Sequence, residues 1–155
     1  MGEKTFYEAF KGNMDLMGLP CPKSIFGTVT LAVSNISVLA GGIKTLGAGA
    51  TMSEIFLTIP TAGGATALAT AVGEICLVVG GLAAAFYVGA CLGSLIVAVI
   101  ETQGVRAAVA LRRWAEQVSR DIGMTIDQLL ATTVQQYPRS SSMRPAVNMA
   151  RAYFA

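Results

Sequence analysis

Residues 75–100 read ICLVVGGLAAAFYVGACLGSLIVAVI, with no charged side chain between Glu74 and Glu101. A helix of about 20 apolar residues crosses the hydrocarbon core of a bilayer, and this run is longer than that. Within it Gly81, Ala85, Gly89 and Gly93 recur at every fourth position, which puts them on one stripe of a helix. Glycine costs a helix about 1 kcal/mol relative to alanine, so repeated glycines on one face require a return. In lipid the return is close approach. Hydrocarbon tails are as apolar as leucine, and helices associate there through small residues that let backbones touch. Ala65, Ala69 and Gly73 form a shorter stripe upstream, and Ala90, Ser94 and Ala98 form another beside the first. The alternative use of the same residues is a tightly packed water-soluble helical bundle.

Outward from this run the chain stays poor in charge. Residues 24–100 hold only Lys44, Glu54 and Glu74. The whole sequence is 54% hydrophobic and 13% charged, with mean hydropathy +0.61, whereas an ordinary soluble domain carries about 25% charged residues. Ser24 to Ile43 is a second uncharged stretch, long enough for a span but interrupted by Ser34, Asn35 and Ser37. It fits a span and a buried helix equally. Gly41-Gly42 and Gly47-Ala48-Gly49 predict a break after it. Between Glu54 and Glu74, Pro60 and Gly63-Gly64 interrupt the run, which predicts a short piece near 52–59 and a helix from about Ala65. That helix is free to continue through Glu74 to Ile100.

The two ends are amphipathic. Thr5 and Glu8 have capping-box spacing, and Phe6, Phe10, Met14 and Met17 follow on one face. That helix either packs on the rest of the chain or anchors at a membrane interface. Pro20-Cys21-Pro22 then forces an extended elbow. Past Glu101, Val105, Val109, Trp114, Val118 and Ile122 oppose Arg106, Arg112, Arg113 and Arg120. Arg106, Arg112, Arg113 and Trp114 suit the headgroup region beside an apolar span, or the solvated face of a bundle helix. Gly123 ends this helix. Thr125 and Gln128 repeat the capping-box spacing ahead of Leu129, Leu130, Val134 and Tyr137. Residues 138–142 read as a polar linker and Pro145 as the start of a last helix. The predicted architecture is all-α: an amphipathic arm over 1–23, a glycine- and alanine-rich helical hairpin over 24–101, broken near 41–53 and 60–64, and basic amphipathic helices over 102–155.

Several function classes are disfavoured. With no histidine there is no Ser-His or Cys-His nucleophile and no His-ligated metal. No CxxC, phosphate-binding loop or dinucleotide fingerprint occurs, and nine acids are scattered without paired spacing. An enzyme is not expected, nor a cofactor. A net charge of +2 is too small for nucleic acid. Cys21, Cys76 and Cys91 are odd in number and unpaired in spacing, so buried thiols are expected rather than disulfides. Glu54, Glu74 and Glu101 bound the apolar runs. They either end the helices at the water interface or line a pore, where acidic groups favour cations; Thr66, Thr70 and Ser94 would extend a polar lining.

The stripe of Gly81, Ala85, Gly89 and Gly93, together with the lack of a signal peptide, resembles the small pore-forming antibacterial effectors of the type VI secretion system, over roughly residues 24–101. The resemblance implies a toxin carried in soluble form from the producer's cytoplasm by a tube-forming secretion protein. It implies insertion into the inner membrane of a target cell, homo-oligomeric assembly, and a small, cation-selective leak blocked by a cognate membrane immunity protein. Two other classes fit the residues. A resident membrane protein of holin-like or accessory type is one, since Lys23, Lys44 and the arginines of 106–120 suit a hairpin with both ends cytoplasmic. A soluble helical adaptor is the other.

Overall fold

A computed structural model describes residues 5–16, 18–47, 49–59 and 66–123. Over these residues the chain is all-α, in the order α1 (Phe6–Leu16), α2 (Lys23–Phe26), α3 (Val29–Leu46), α4 (Met52–Phe56), α5 (Thr66–Val79), α6 (Ala84–Gln103), α7 (Val105–Ala110) and α8 (Arg112–Asp121). The cap expected at the start of α1 forms. The Thr5 Oγ1 accepts from the Glu8 N–H at 3.1 Å, and the Glu8 carboxylate accepts from the Thr5 N–H at 3.1 Å. Thr28 caps α3 by accepting from the Leu31 N–H. The helix predicted from Thr125 onward, the linker at 138–142, the last helix from Pro145 and the breaks at Pro60 and Gly63-Gly64 lie outside the described residues.

The long uncharged run is not one helix. α5 stops at Val79, residues 80–83 turn, and α6 begins at Ala84. The turn is fixed from a distance by α4. The Met52 N–H donates to the Leu82 carbonyl at 3.0 Å, the Ser53 N–H to the Gly80 carbonyl at 3.1 Å, and the Ala84 N–H to the Ala50 carbonyl at 2.8 Å. Those bonds satisfy orphan amides at the start of both α4 and α6. They also bring the start of α6 beside the loop that ends α3. Gly80 is needed at this crossing: a Cβ there would lie 2.6 Å from the Cys76 carbonyl and 2.7 Å from the Ser53 Oγ. Gly80→Ala is therefore expected to lower the thermal midpoint in buffer by several degrees, read by circular dichroism. An unchanged midpoint would mean that the turn is not held by these bonds.

Gly41-Gly42, expected to break the helix, sits inside α3 instead. Gly42 gives the room in which the Ile55 side chain of α4 packs, its Cδ1 3.2 Å from where a Cβ would be. α3 ends five residues later at Gly47, whose φ of 104° only glycine adopts readily and whose N–H caps the Ile43 carbonyl. On its other side α4 uses a second glycine, with Phe56 lying over Gly73 of α5. Close packing through small residues thus joins α3, α4 and α5.

α6 is the centre. α1, α3, α4 and α7 pack on it, and every residue from Ala84 to Val99 except Phe86 is buried. α8 closes on α3, where the Trp114 indole N–H donates to the Ser37 Oγ at 2.8 Å and Lys44 pairs with Asp121 at 3.8 Å. Apolar burial of this kind is the dominant favourable term in folding. α6, uncharged from Ala84 to Ile100, takes the position with least water.

Candidate functional site

The candidate site is α6 with the layer that covers it. Two helices are long and apolar enough to cross a membrane, α3 with mean hydropathy 1.4 and α6 with 2.0. Their surroundings differ. Only 28% of the α3 window is buried, against 78% of the α6 window. α3 lies at the surface, with Leu31, Val38 and Leu46 each nearly half exposed. α6 satisfies equally the description of a spanning helix and of a soluble core helix.

Ala85, Gly89 and Gly93 fall on α6 and are buried, so three members of the expected stripe share one helix face. Gly81 does not join them. It lies exposed in the 80–83 turn, with nothing within 4 Å of where a Cβ would stand. Gly81 kept the four-residue spacing, but the tertiary bonds from α4 end the helix between it and Ala85. Ala90, Ser94 and Ala98, the neighbouring stripe, are all buried on α6.

The three acids are separated. Glu54 is exposed at the start of α4, where its carboxylate accepts from the Thr51 N–H and hydroxyl while Thr51 accepts from the Glu54 N–H. This is a capping box, and the spacing Thr51-x-x-Glu54 was legible in the sequence. Glu74 is exposed on α5 and Glu101 is exposed near the end of α6. They do not converge. Among the described residues no group of three potential metal ligands occurs. A groove of about 280 Å³ between α3 and the segment after α4 is lined by Val38, Gly41, Gly42, Thr45, Thr58 and Ile59, none of them titratable.

The basic segment is also divided. α7 ends at Ala110 and α8 begins at Arg112, with Leu111 between them. Val105 and Val109 face solvent, 46% and 49% exposed, while Val118 and Ile122 are buried. Arg106, Arg112 and Arg113 are exposed, and Arg112 pairs with Glu116 at 3.1 Å. Trp114 is half-buried and tied to Ser37. It fastens α8 to α3.

The N-terminal arm makes contacts that no motif announced. α1 runs antiparallel along α6, since the Asn13 Nδ2 donates to the Ser94 carbonyl at 3.3 Å while the Tyr87 hydroxyl donates to the Pro20 carbonyl at 2.7 Å. The Tyr7 hydroxyl donates to the Cys21 carbonyl at 2.8 Å. Proline removes amide donors and holds the elbow extended, so its carbonyls find no helical partner and take tyrosine hydroxyls. The only signal in the sequence was a pair of tyrosines in apolar stretches, whose hydroxyls need partners once buried.

Cys21 is the middle residue of this elbow, and burial pushes its thiol up to about 12, with nearby Asp15 acting in the same direction. The thiolate is the nucleophile. At pH 8 its fraction falls on the order of a thousandfold below that of an ordinary thiol of pKa about 8.5. Alkylation of Cys21 in buffer is expected to be much slower than that of free cysteine, and to speed up as pH rises toward 12. Rapid labelling at pH 8, located by peptide mass, would mean that the elbow is open in water. Compared with known protein families, curated proteins and solved structures, the chain matches none.

Proposed function

We propose that this chain is an antibacterial pore-forming toxin whose described fold is the water-soluble, carried form. The observation that carries the reading is α6. It is the more apolar of the two helices long enough to span, and it bears small residues at 85, 89 and 93. It is stored as the buried core of a bundle, covered by α1, α3, α4 and α7. In the bilayer its backbone bonds stay satisfied within the helix, and small-residue faces replace the bundle as packing partners. In this reading a tube-forming secretion protein carries the soluble form, and the target is an inner membrane. Several copies assemble to leak small cations, and a membrane immunity protein protects the producer.

One observation favours a second reading. The burial of 78% of the α6 window is what a soluble helical adaptor would show. The two readings part in one experiment. Purified protein is added to potassium-loaded liposomes, and membrane potential is followed with a dye under several ion gradients. Depolarisation without release of a large dye is expected. Absence of any response, with the protein remaining in the supernatant after vesicle flotation, would replace the toxin reading with the adaptor.

A further inference from the structure

We infer that the face of α6 built on Ala90, Ser94 and Ala98 is a self-association surface for a second copy of this chain, occupied in the soluble form by α1. The inference rests on the pore-forming reading above and names the partner of its central helix.

Ser94 provides the first observation. Its side chain is buried, with 1% of the residue exposed, and its hydroxyl has no hydrogen-bond partner. Hydroxyls elsewhere on these helices behave differently. Ser37, Thr45 and Thr102 each donate to the carbonyl four residues back, at 2.8, 3.0 and 2.8 Å. That bond is the default for Ser and Thr inside a helix, and Ser94 does not make it. A buried hydroxyl without a partner carries an uncompensated desolvation cost. A sequence free to choose alanine here, as it did at 90 and 98, would avoid that cost. The hydroxyl is held in reserve for a partner that the soluble form does not supply.

The covering layer provides the second observation. α1 lies along α6 at this level and places Asn13, itself buried, against the Ser94 carbonyl. That 3.3 Å contact is the long end of a hydrogen bond, and it leaves the Ser94 hydroxyl unserved. α1 is the first of the described elements that cover α6, with one chain connection to the others, through residues 18–22, and it leaves when its packing on α6 and on α2 opens. α3, by contrast, is tied in by α2, α4 and α8, and α7 by its direct joints to α6 and α8.

The chemistry of the vacated face selects its occupant. In lipid an all-aliphatic face has no preference for another helix over acyl chains. A face of small residues with one hydroxyl does, because it permits close approach and a hydrogen bond between helices. A second α6 presents the same small residues and the same unserved hydroxyl, which can donate to a carbonyl or hydroxyl across the contact. An isologous pair of this kind is self-complementary.

The test uses the full chain in two populations, labelled at the N-terminal amine with a donor and an acceptor dye. Energy transfer is measured in buffer and in phosphatidylethanolamine–phosphatidylglycerol vesicles as the protein-to-lipid ratio rises, beside the potassium leak. The wild-type chain is expected to show no transfer in buffer and clear transfer in vesicles. Ser94→Ala is expected to keep or raise the thermal midpoint in buffer, because it removes an unsatisfied hydroxyl, and to need about threefold more protein per lipid for half-maximal transfer. A merely structural serine would not move the two readouts in opposite directions. Equal vesicle midpoints for Ser94→Ala and wild type would overturn the inference, as would transfer by the wild type in buffer. Leak without transfer would overturn it while leaving the pore reading intact. Neither leak nor transfer would remove both.

Discussion

Gly89→Leu abolishes the potassium leak, while Gly81→Leu leaves it unchanged; this pair of outcomes is what the proposed pore-forming function, placed on this fold, leads us to expect. Both glycines belong to one four-residue repeat in the sequence, and only the structure separates them. Gly89 is buried on α6 about one turn from both Ala85 and Gly93, and Gly81 is exposed in the turn before the helix. At position 89 a leucine holds two helix backbones apart, and contact between backbones is what drives association in lipid. The effect on conductance is all-or-none rather than graded. The same leucine also enters a packed core, which costs about 1–3 kcal/mol by overpacking, so circular dichroism must first show that the soluble fold survives. At position 81 nothing lies within 4 Å of the new Cβ and φ is not positive, so neither strain nor overlap arises. If Gly81→Leu also silences the leak, the 80–83 turn must straighten in the membrane. Gly81, Ala85, Gly89 and Gly93 would then form one continuous stripe there. If Gly89→Leu conducts normally, close packing along this stripe is not how the pore is held.

That pair of glycines also marks what the sequence can and cannot convey. Local signals read correctly wherever the bonds they describe are local. Thr5 and Glu8 form the expected reciprocal cap, and Gly123, with φ of 76°, closes the last described helix as expected. The signals failed where a bond reaches across the chain. Spacing alone cannot distinguish Gly80-Gly81 as helix from Gly80-Gly81 as turn. The deciding donors are Met52 and Ser53, 27 or more residues upstream. Gly41-Gly42 looked like a break because glycine lowers helix propensity, but Ile55 fills the space beside Gly42 and the helix continues. Trp114 had the composition of a headgroup anchor, and its indole N–H turned out to be committed to Ser37. The apolar face read from Val105 to Ile122 is not one face: at about 3.6 residues per turn Val105 and Val109 fall opposite Val118 and Ile122 even on a straight helix, and the first two are exposed while the last two are buried. The stripe on α6 was legible in part. The arm that covers it was not, because Asn13 and Tyr87 are ordinary residues whose meaning lies in the carbonyls they reach.

Phe10→Ala is expected to destabilise the described bundle and, if the proposed function holds, at the same time to quicken the leak. Phe10 is fully buried on α1, stacked on Phe26 with ring centroids 5.1 Å apart and edge-on to Phe6 at 5.6 Å. Removing a buried phenylalanine ring costs about 3–5 kcal/mol. That is a large part of the roughly 5–15 kcal/mol that holds a domain together, and it lowers the thermal midpoint by roughly 10–20 °C. The loss falls on the contact that fixes α1 to the bundle. If insertion begins when α1 leaves α6, the uncovered state becomes more populated, and the initial rate of depolarisation rises at least tenfold. Cys21 is a built-in reporter of the same event, because opening the elbow returns its thiol to water and its alkylation must accelerate in step. A comparison variant separates arm release from general instability. Ile122→Ala removes a fully buried side chain at the end of α8, far along the chain from α1, at a cost of about 2–5 kcal/mol. It should lower the midpoint without a matching gain in leak rate. Equal acceleration by both variants would mean that any loosening of the bundle admits α6 to the membrane, and that α1 has no special part. A lowered midpoint for Phe10→Ala with an unchanged rate would mean that α6 enters the bilayer with its arm still in place.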